Sequence, residues 1–500
     1  MIESDLDTFE PGEAKLPRTI GATTALCVVV GSVIGSGIFL VPAVVAKEMP
    51  NVAGIVTLWV VGGLFSLAGA LTLAELAAML PHAGGPYVYL REAYGRLPAF
   101  LFGWTEFLII RAGSVATLAS AFAIYAAQPQ MFPAPKGMDP RLWQMILACG
   151  AMTVVAVINV IGTKASGAVQ VVGTALKLGA LGAMMVLPFV LGKAHVANLS
   201  PVWPQVVDRH LFGGFMAAIV SVLWAYDGWV NAASLAEEIH DPGRNVPRAL
   251  GLGMVILIAV YLGMTLVYHL VLPMNTVAAG LRVQGSGKEV AAKFCNTLLG
   301  ERGALAIALV VCCSTLISLN GNALSGPRAY FAMARDGLFP RSLCKVHPRF
   351  QTPANAIIAQ AVWSILLIFI ATAFLLVNPP KSGALPGFVL NAWREFHKTP
   401  IYQILFTYVI FGGTVLYTMT AASVFVLRRT RPDLPRPYRV WGYPLTPILY
   451  LAASCLLIFD MLSNEQSRIQ SLGGLGIILA GVPAYFVFSR RSRPASSSAA

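Results

Sequence analysis

Several stretches of the chain set chemically capable residues where hydrocarbon would be expected. VVGSVIGSGIFLVP, Val29 to Pro42, places Gly31, Ser32, Gly35, Ser36 and Gly37 inside a long apolar run. Gly31 and Gly35 fit close helix packing, which needs a small residue at every fourth position. The contiguous Gly35, Ser36 and Gly37 exceed that need and predict an interrupted helix, because glycine unwinds at little conformational cost. An interruption frees backbone groups that lipid cannot satisfy, so protein, a polar cavity or a ligand must receive them. The amides opening the outer half-helix, Gly37 to Phe39, would form a positive end suited to a carboxylate. The carbonyls closing the inner half would suit a cation, and Pro42 is a candidate kink in the outer half.

A second such stretch is SVLWAYDGWVNAASLAEEIHDPGRNVPRAL, Ser221 to Leu250. Asp227 and Gly228 sit mid-run, flanked by Trp224, Tyr226 and Trp229 and followed by Asn231 and Ser234. An unpaired acid at that depth costs roughly 2.5–3.5 kcal/mol on insertion scales. Trp224 and Asp227 are therefore expected at a cavity, the alternative being packing and hinge hydrogen bonding. Lys177, in VQVVGTALKLGALGAMM, lies about 15 Å into its run at a helical rise of ~1.5 Å per residue. That is too deep to snorkel, so carbonyls, a carboxylate or deprotonation must accommodate it. It is the candidate coupling residue, as a fixed internal cation or a proton-linked group.

Glu106 and Arg111, in WTEFLIIRAGS, are five apart and so expected on different helix faces, each pairing with another helix in a gate or structural role. Glu75 reads as a scaffold or gate partner for an inner-loop arginine. HDPGRNVPRA, His240 to Ala249, reads as a turn whose glycine and prolines end and restart helices. Glu237 and Glu238 before it and Arg244 and Arg248 within it suit an inner gate, or equally a solvated charged turn. The histidines show no metal-ligand spacing, so no metal and no cofactor are expected, and the absence of G-x-x-x-x-G-K-[ST] excludes ATP drive from this chain.

The elements that carry these residues follow from composition. Of 500 residues 57% are hydrophobic and 11% charged, against roughly 25% charged in soluble domains, which excludes an ordinary cytosolic enzyme. Apolar runs of about 20 residues, enough to cross a bilayer, recur twelve times between Thr19 and Phe488. With the N-terminus inside, the cytoplasmic segments hold 20 of the 35 Lys and Arg, the outer segments 13, and the spans Arg111 and Lys177. This positive-inside bias places both termini in the cytoplasm and explains the net charge of +13 without nucleic acid; a polybasic patch for anionic lipid is a weaker addition. The acidic, polar MIESDLDTFEPGEAKLP start leads into a first span with no small-residue cleavage site after it, so no signal peptide is read. Most of the seven cysteines lie inside spans, which argues against a disulfide framework.

GSVIGSGIFLVP, ALTLAELAAMLPHAGGPYVYLREAYG (Ala70 to Gly95), WTEFLIIR, LWAYDGWVNAASLAEEIHDPGRNVPRA, SGPRAYFAMARDGLFP (Ser325 to Pro340) and RPDLPRPYRVWGYP (Arg431 to Pro444) occur in that order. Together they resemble the amino acid-polyamine-organocation (APC) superfamily, and within it the L-type amino acid transporter-like branch, over residues 17 to 460. The resemblance implies an all-α membrane protein of twelve transmembrane helices. These would form a 5+5 inverted repeat (the LeuT-like, or APC, fold) with discontinuous helices 1 and 6, plus two C-terminal helices. The expected divisions are a cytoplasmic segment 1–18, repeats 19–192 and 211–427, a basic loop with helices 11 and 12 over 428–488, and a tail 489–500. It further implies that Gly35, Ser36 and Gly37 receive a substrate carboxylate, that the carbonyls of Ile34, Leu223, Trp224 and Tyr226 receive its amine, and that Trp224 is an aromatic gate. Lys177 matches a lysine thought to replace the sodium ion of sodium-coupled relatives. The chain departs from the mammalian members of the branch at Asp227, where a small residue is common, at Val230 before Asn231, and in AQPQMFPAPKGMDP, which lacks the cysteine that attaches a heavy subunit. No disulfide-linked partner is therefore expected, and Asp227 raises the prospect of a cationic substrate.

The expectation is a secondary-active, sodium-independent L-amino acid transporter of the plasma membrane, in bacteria the inner membrane. Exchange and proton symport stay open, as does a cationic amino acid or polyamine substrate. A channel would show a continuous polar pore and an embedded enzyme a cluster of acid-base residues at one membrane face; Lys177, Asp227 and Glu106 instead fall in separate spans.

Overall fold

The computed structural model describes residues 15–204, 209–279, 288–377 and 401–491. Residues 1–14 of the expected N-terminal segment and 492–500 of the expected tail lie outside these. Among the described residues eleven helices are long and apolar enough to cross a membrane, and twelve spans result when Ala22–Val33 and Gly37–Glu48, which meet at 43°, count as one. The first span is this bent pair; the second is Val52–Met79, the third Arg96–Ala126, the fourth Pro140–Ile161 and the fifth Thr163–Val190. Leu211–Ser234 and Pro242–Val271 are the sixth and seventh, and Gly303–Ser325 is the core of the eighth. The ninth to twelfth are Ala354–Leu376, Tyr408–Thr430, Leu445–Ser463 and Ser467–Ser489. The protein is thus all-α and multi-pass, and among the described residues the β structure amounts to one bridge, Ile20 to Ile239.

Helix starts follow local chemistry. Asn51 caps the second span by accepting from the Gly54 amide at 2.7 Å. Pro140 and Pro242 open the fourth and seventh spans, where a missing N–H costs nothing. The seventh span therefore begins at Pro242 and carries Pro247 within it, so most of HDPGRNVPRA is helix and the expected turn shrinks to its first residues.

The third span contains a π-helical segment, Glu106–Ile110. Its i→i+5 bonding adds one residue to the turn, so residues five apart become neighbours. Glu106 and Arg111 consequently pair with each other, at 2.9 Å from Nε and 2.7 Å from Nη2 to Oε1, and the expectation of opposite faces is overturned.

On the face where the chain enters the first span, here the N-terminal face, ion pairs tie distant segments together. The Thr19 and Ile20 amides donate to the Glu238 carbonyl at 2.9 Å, and the His240 amide donates to the Ile20 carbonyl at 2.9 Å. Below them the buried Glu238 carboxylate meets Arg328 Nε at 2.7 Å and the Thr163 hydroxyl at 2.8 Å. Glu237 pairs twice with Arg335 at 3.0 Å and accepts from the Leu16 and Ala83 amides at 2.9 Å. Glu75 meets Arg428 at 2.6 and 2.8 Å and the Val440 amide at 2.7 Å. Glu237 thus pairs with a neighbouring segment at the end of the eighth span, whereas Arg248, also a gate candidate, is exposed and joins no ion pair among the described residues.

Two consequences are measurable. Arg328→Ala strands the Glu238 carboxylate in the interior and should cost about 3–5 kcal/mol, seen as earlier thermal unfolding of the solubilised protein, whereas an Arg328→Met and Glu238→Gln double variant should recover much of it. Burial alone would raise the Glu237 carboxyl, but hydrogen bonding and the charge of Arg335, with the Ala83 and Leu16 amides, hold it below its ordinary 4.5. Its contribution is complete above that ordinary value and declines as pH falls toward the lower folded one. The stability gap between wild type and Glu237→Gln should stay constant from neutral pH down to about 5 and close on further acidification.

Candidate functional site

The first span stops being helical at Val33 and resumes at Gly37. The carbonyls freed on the inner side are answered by side chains of the fifth and eighth spans. Lys177, 1% exposed, directs its ammonium at the carbonyls of Ile34 (2.6 Å), Gly31 (2.8 Å) and Ser314 (3.0 Å) and at Ser318 Oγ (3.3 Å). Ser314 Oγ donates to the Ile34 carbonyl at 2.9 Å or that of Gly35 at 3.1 Å, and Ser318 Oγ reaches the Ile34 and Gly31 carbonyls at 2.8 and 2.9 Å. The Ile34 carbonyl is saturated by these donors and is not free for a substrate amine, which corrects the expectation from the resemblance.

The outer side of the same break behaves differently. The Phe39 and Leu40 amides return to the Ser36 carbonyl at 3.1 Å, so Phe39 drops out of the expected anion-receiving set. The Gly37 and Ile38 amides have no acceptor among the described residues. Ser36 gives no side-chain cap, and its hydroxyl and that of Ser32 are buried without a partner. Ser32, Ser36 and Gly37 border a small, partly open cavity whose wall also includes Gly35, Trp224, Asp227 and Asn322. Free amides at a helix start beside unanswered hydroxyls are chemically fitted to a carboxylate.

The sixth span supplies the opposite wall. Its helix Arg209–Tyr226 ends in a turn where Gly228 takes φ +113°, a conformation that favours glycine, and a short helix Asn231–Ser234 follows. Trp224, half-buried, lines the cavity. Asp227 stands between this cavity and a second small one bordered by Leu223, Trp229 and Tyr417. Leu223 thus faces the second cavity and not the first, and the Tyr226 side chain turns away, its hydroxyl on the Trp59 carbonyl at 3.1 Å. Tyr261 of the seventh span joins the two breaks, donating toward the Ala225 carbonyl at 2.8 Å and that of Val33 at 3.1 Å.

Arg111 sets the remaining wall. Beyond Glu106, its Nη1 donates to Asn231 Oδ1 at 2.5 Å and Asn322 Oδ1 at 2.6 Å, tying the segment after the sixth-span break to the cavity-lining Asn322. Ser114, which also borders the first cavity, and Asn322, Ser314, Ser318 and Tyr261 were missed by sequence reasoning. A signal existed for three of them: Ser314, Ser318 and Asn322 recur every fourth residue, one face of a helix.

The sequence profile described as amino acid permease matches residues 20–480. The chain belongs to the amino acid permease family. It is 30% identical over 480 residues to the serine/threonine exchanger SteT of Bacillus subtilis (strain 168), covering 95% of this chain and 98% of that protein. The b(0,+)-type amino acid transporter 1 of Mus musculus is 27% identical over 488 residues, 97% of this chain and 91% of that one. The large neutral amino acids transporter small subunit 2 of Oryctolagus cuniculus is 29% identical over 485 residues, 95% and 81% respectively. The permease is therefore a multi-pass membrane protein that transports amino acids, and its similarity is to transporters rather than enzymes.

Gly37 is where the two broken spans touch. A Cβ there would stand 2.8 Å from the Ala225 Cβ and 2.9 Å from its Cα, so backbone would have to move. Gly37→Ala should weaken amino acid binding at least roughly tenfold, about 1.4 kcal/mol, while the variant still inserts and elutes as wild type. Unchanged affinity in scintillation-proximity binding would contradict the contact.

Proposed function

We propose that this permease is a sodium-independent L-amino acid transporter of the L-type-like branch, working by alternating access and chiefly by exchange. The observation that carries the reading is the Lys177 ammonium seated on the Gly31, Ile34 and Ser314 carbonyls. A protonated lysine there holds the first and eighth spans together as a bound cation would, leaving no need for sodium at that place. Exchange is favoured by the named activity of the Bacillus exchanger, which matches nearly the whole length of both chains.

In this reading spans one to five and six to ten are inverted repeats, with the breaks at 34–36 and 227–230 in corresponding places. The substrate carboxylate meets the Gly37 and Ile38 amides and the Ser36 hydroxyl. Its ammonium faces the carbonyl end of the sixth-span helix at Trp224, whose indole closes over the ligand, and Asp227 borders the side chain. The N-terminal face is cytoplasmic, with the membrane a bacterial inner membrane, and the pairs around Glu237 and Glu238 form the inner gate. Transport in this reading needs no disulfide-linked subunit.

Proton symport is the second reading, favoured by the complete burial of Lys177 without an acidic partner among the described residues. An ammonium so placed is the group whose proton could leave and return during a cycle.

Uptake of a labelled amino acid panel into proteoliposomes distinguishes these. Exchange gives uptake that is small in empty vesicles, rises at least roughly tenfold when they are loaded with amino acid, and is indifferent to sodium. Symport gives accumulation into empty vesicles under an inward proton gradient. Lys177→Ala should lose most transport while keeping its insertion; full activity in that variant, or strong sodium dependence of the wild type, sinks the internal-cation account.

A further inference from the structure

On the N-terminal face, away from the substrate cavity, lies an open groove of about 700 Å³. Arg18, Arg244 and Arg248 line it, with Leu71 at its membrane side and Pro437 and Tyr438 of the loop before the eleventh span along its edge. Most arginines around it on this face are spoken for: Arg91, Arg328, Arg335, Arg428 and Arg431 all meet carboxylates. Arg18, Arg244 and Arg248 are exposed and form no ion pair among the described residues. The one acid in the groove, Asp241, is exposed and leaves three guanidinium groups against one carboxylate.

The groove runs into surface built for hydrocarbon. On the seventh span Arg244, Arg248, Leu252 and Val255 follow one another at intervals of four, four and three residues, a single helix face. Leu252 and Val255 on that face are each 53% exposed. From Leu71 the second span continues the furrow through Leu64 and Val61, seven and ten residues earlier and 55% and 40% exposed. The second and seventh spans are packed together there, Leu71 Cδ2 lying 3.6 Å from where a Cβ on Gly251 would be. Beyond Tyr438, Trp441 is 78% exposed, the position of an interfacial aromatic.

We propose that this groove is a binding site for an anionic phospholipid, its phosphodiester held by Arg18, Arg244 and Arg248 and its acyl chains laid along Leu252, Val255, Leu64 and Val61. Guanidinium groups match phosphate oxygens in pairs, and the apolar furrow beneath them selects a lipid over a soluble phosphate, which has nothing to place there. The site is independent of the substrate reading and needs only that the chain be embedded in a bilayer.

Native mass spectrometry of the full chain, released from micelles doped with phosphatidylglycerol or phosphatidylcholine, tests it. Wild type should retain phosphatidylglycerol in preference to phosphatidylcholine, and each arginine removed should weaken retention about fivefold. An Arg18→Gln, Arg244→Gln, Arg248→Gln variant should therefore lose the preference. The corresponding triple lysine variant should keep most of it, which separates charge from any loss of folding, and millimolar inorganic phosphate should leave the lipid adduct in place. Equal retention of the two lipids by wild type would overturn the proposal, as would undiminished phosphatidylglycerol retention by a monodisperse glutamine variant. Displacement by inorganic phosphate would overturn it too, by making the groove a site for a soluble anion.

Discussion

A helix broken inside an apolar bundle must have its freed backbone groups answered, and that requirement organises this permease. On the inner side of the first break the answer is an ammonium. Lys177 reaches carbonyls of the first and eighth spans, with Ser314 and Ser318 adding hydroxyls to the same oxygens. Each party needs the other: the carbonyls would be orphaned without donors, and the charge would be uncompensated without the carbonyls. The fifth and eighth spans are held to the bend of the first by this mutual dependence, and Tyr261 extends it to the bend of the sixth.

The two sides of the break end up with opposite character. Carbonyls are filled from within the protein, whereas the Gly37 amide and the Ser32 and Ser36 hydroxyls, on the wall of one cavity, have no partner among the described residues. A cavity with unanswered donors on one wall favours an acceptor-rich ligand. Arg111 strengthens the asymmetry indirectly: by consuming the Oδ1 acceptors of both Asn231 and Asn322, it keeps those oxygens from competing for the same donors. The π-helical turn is what lets one guanidinium serve Glu106 and both asparagines at once.

The N-terminal face is closed by a different chemistry. Glu75, Glu237 and Glu238 each join segments far apart in sequence through paired arginines and backbone amides. Strong as such pairs are when buried, they give up little when separated into water, where each ion recovers its hydration. Contacts of this kind differ from the Lys177 cluster, whose ammonium has no water to return to.

Much of the fold was legible in composition, because a bilayer's thickness converts apolar run length directly into spans. Twelve runs correspond to eleven long helices and one bent pair. The break at Gly35 to Gly37 was legible too, since contiguous small residues in a span have few other uses, as was the burial of Lys177, which lies too deep for its charge to reach water. Glu75's partner could be anticipated only as some inner-loop arginine. What the chain's order of residues could not state was which groups meet across helices. The π-turn that joins Glu106 to Arg111, the diversion of the Ile34 carbonyl to Lys177, and the pairing of Glu237 with Arg335 each depend on helix phase and on which span is neighbour to which. Local spacing encodes one helix's faces; only packing decides what each face touches.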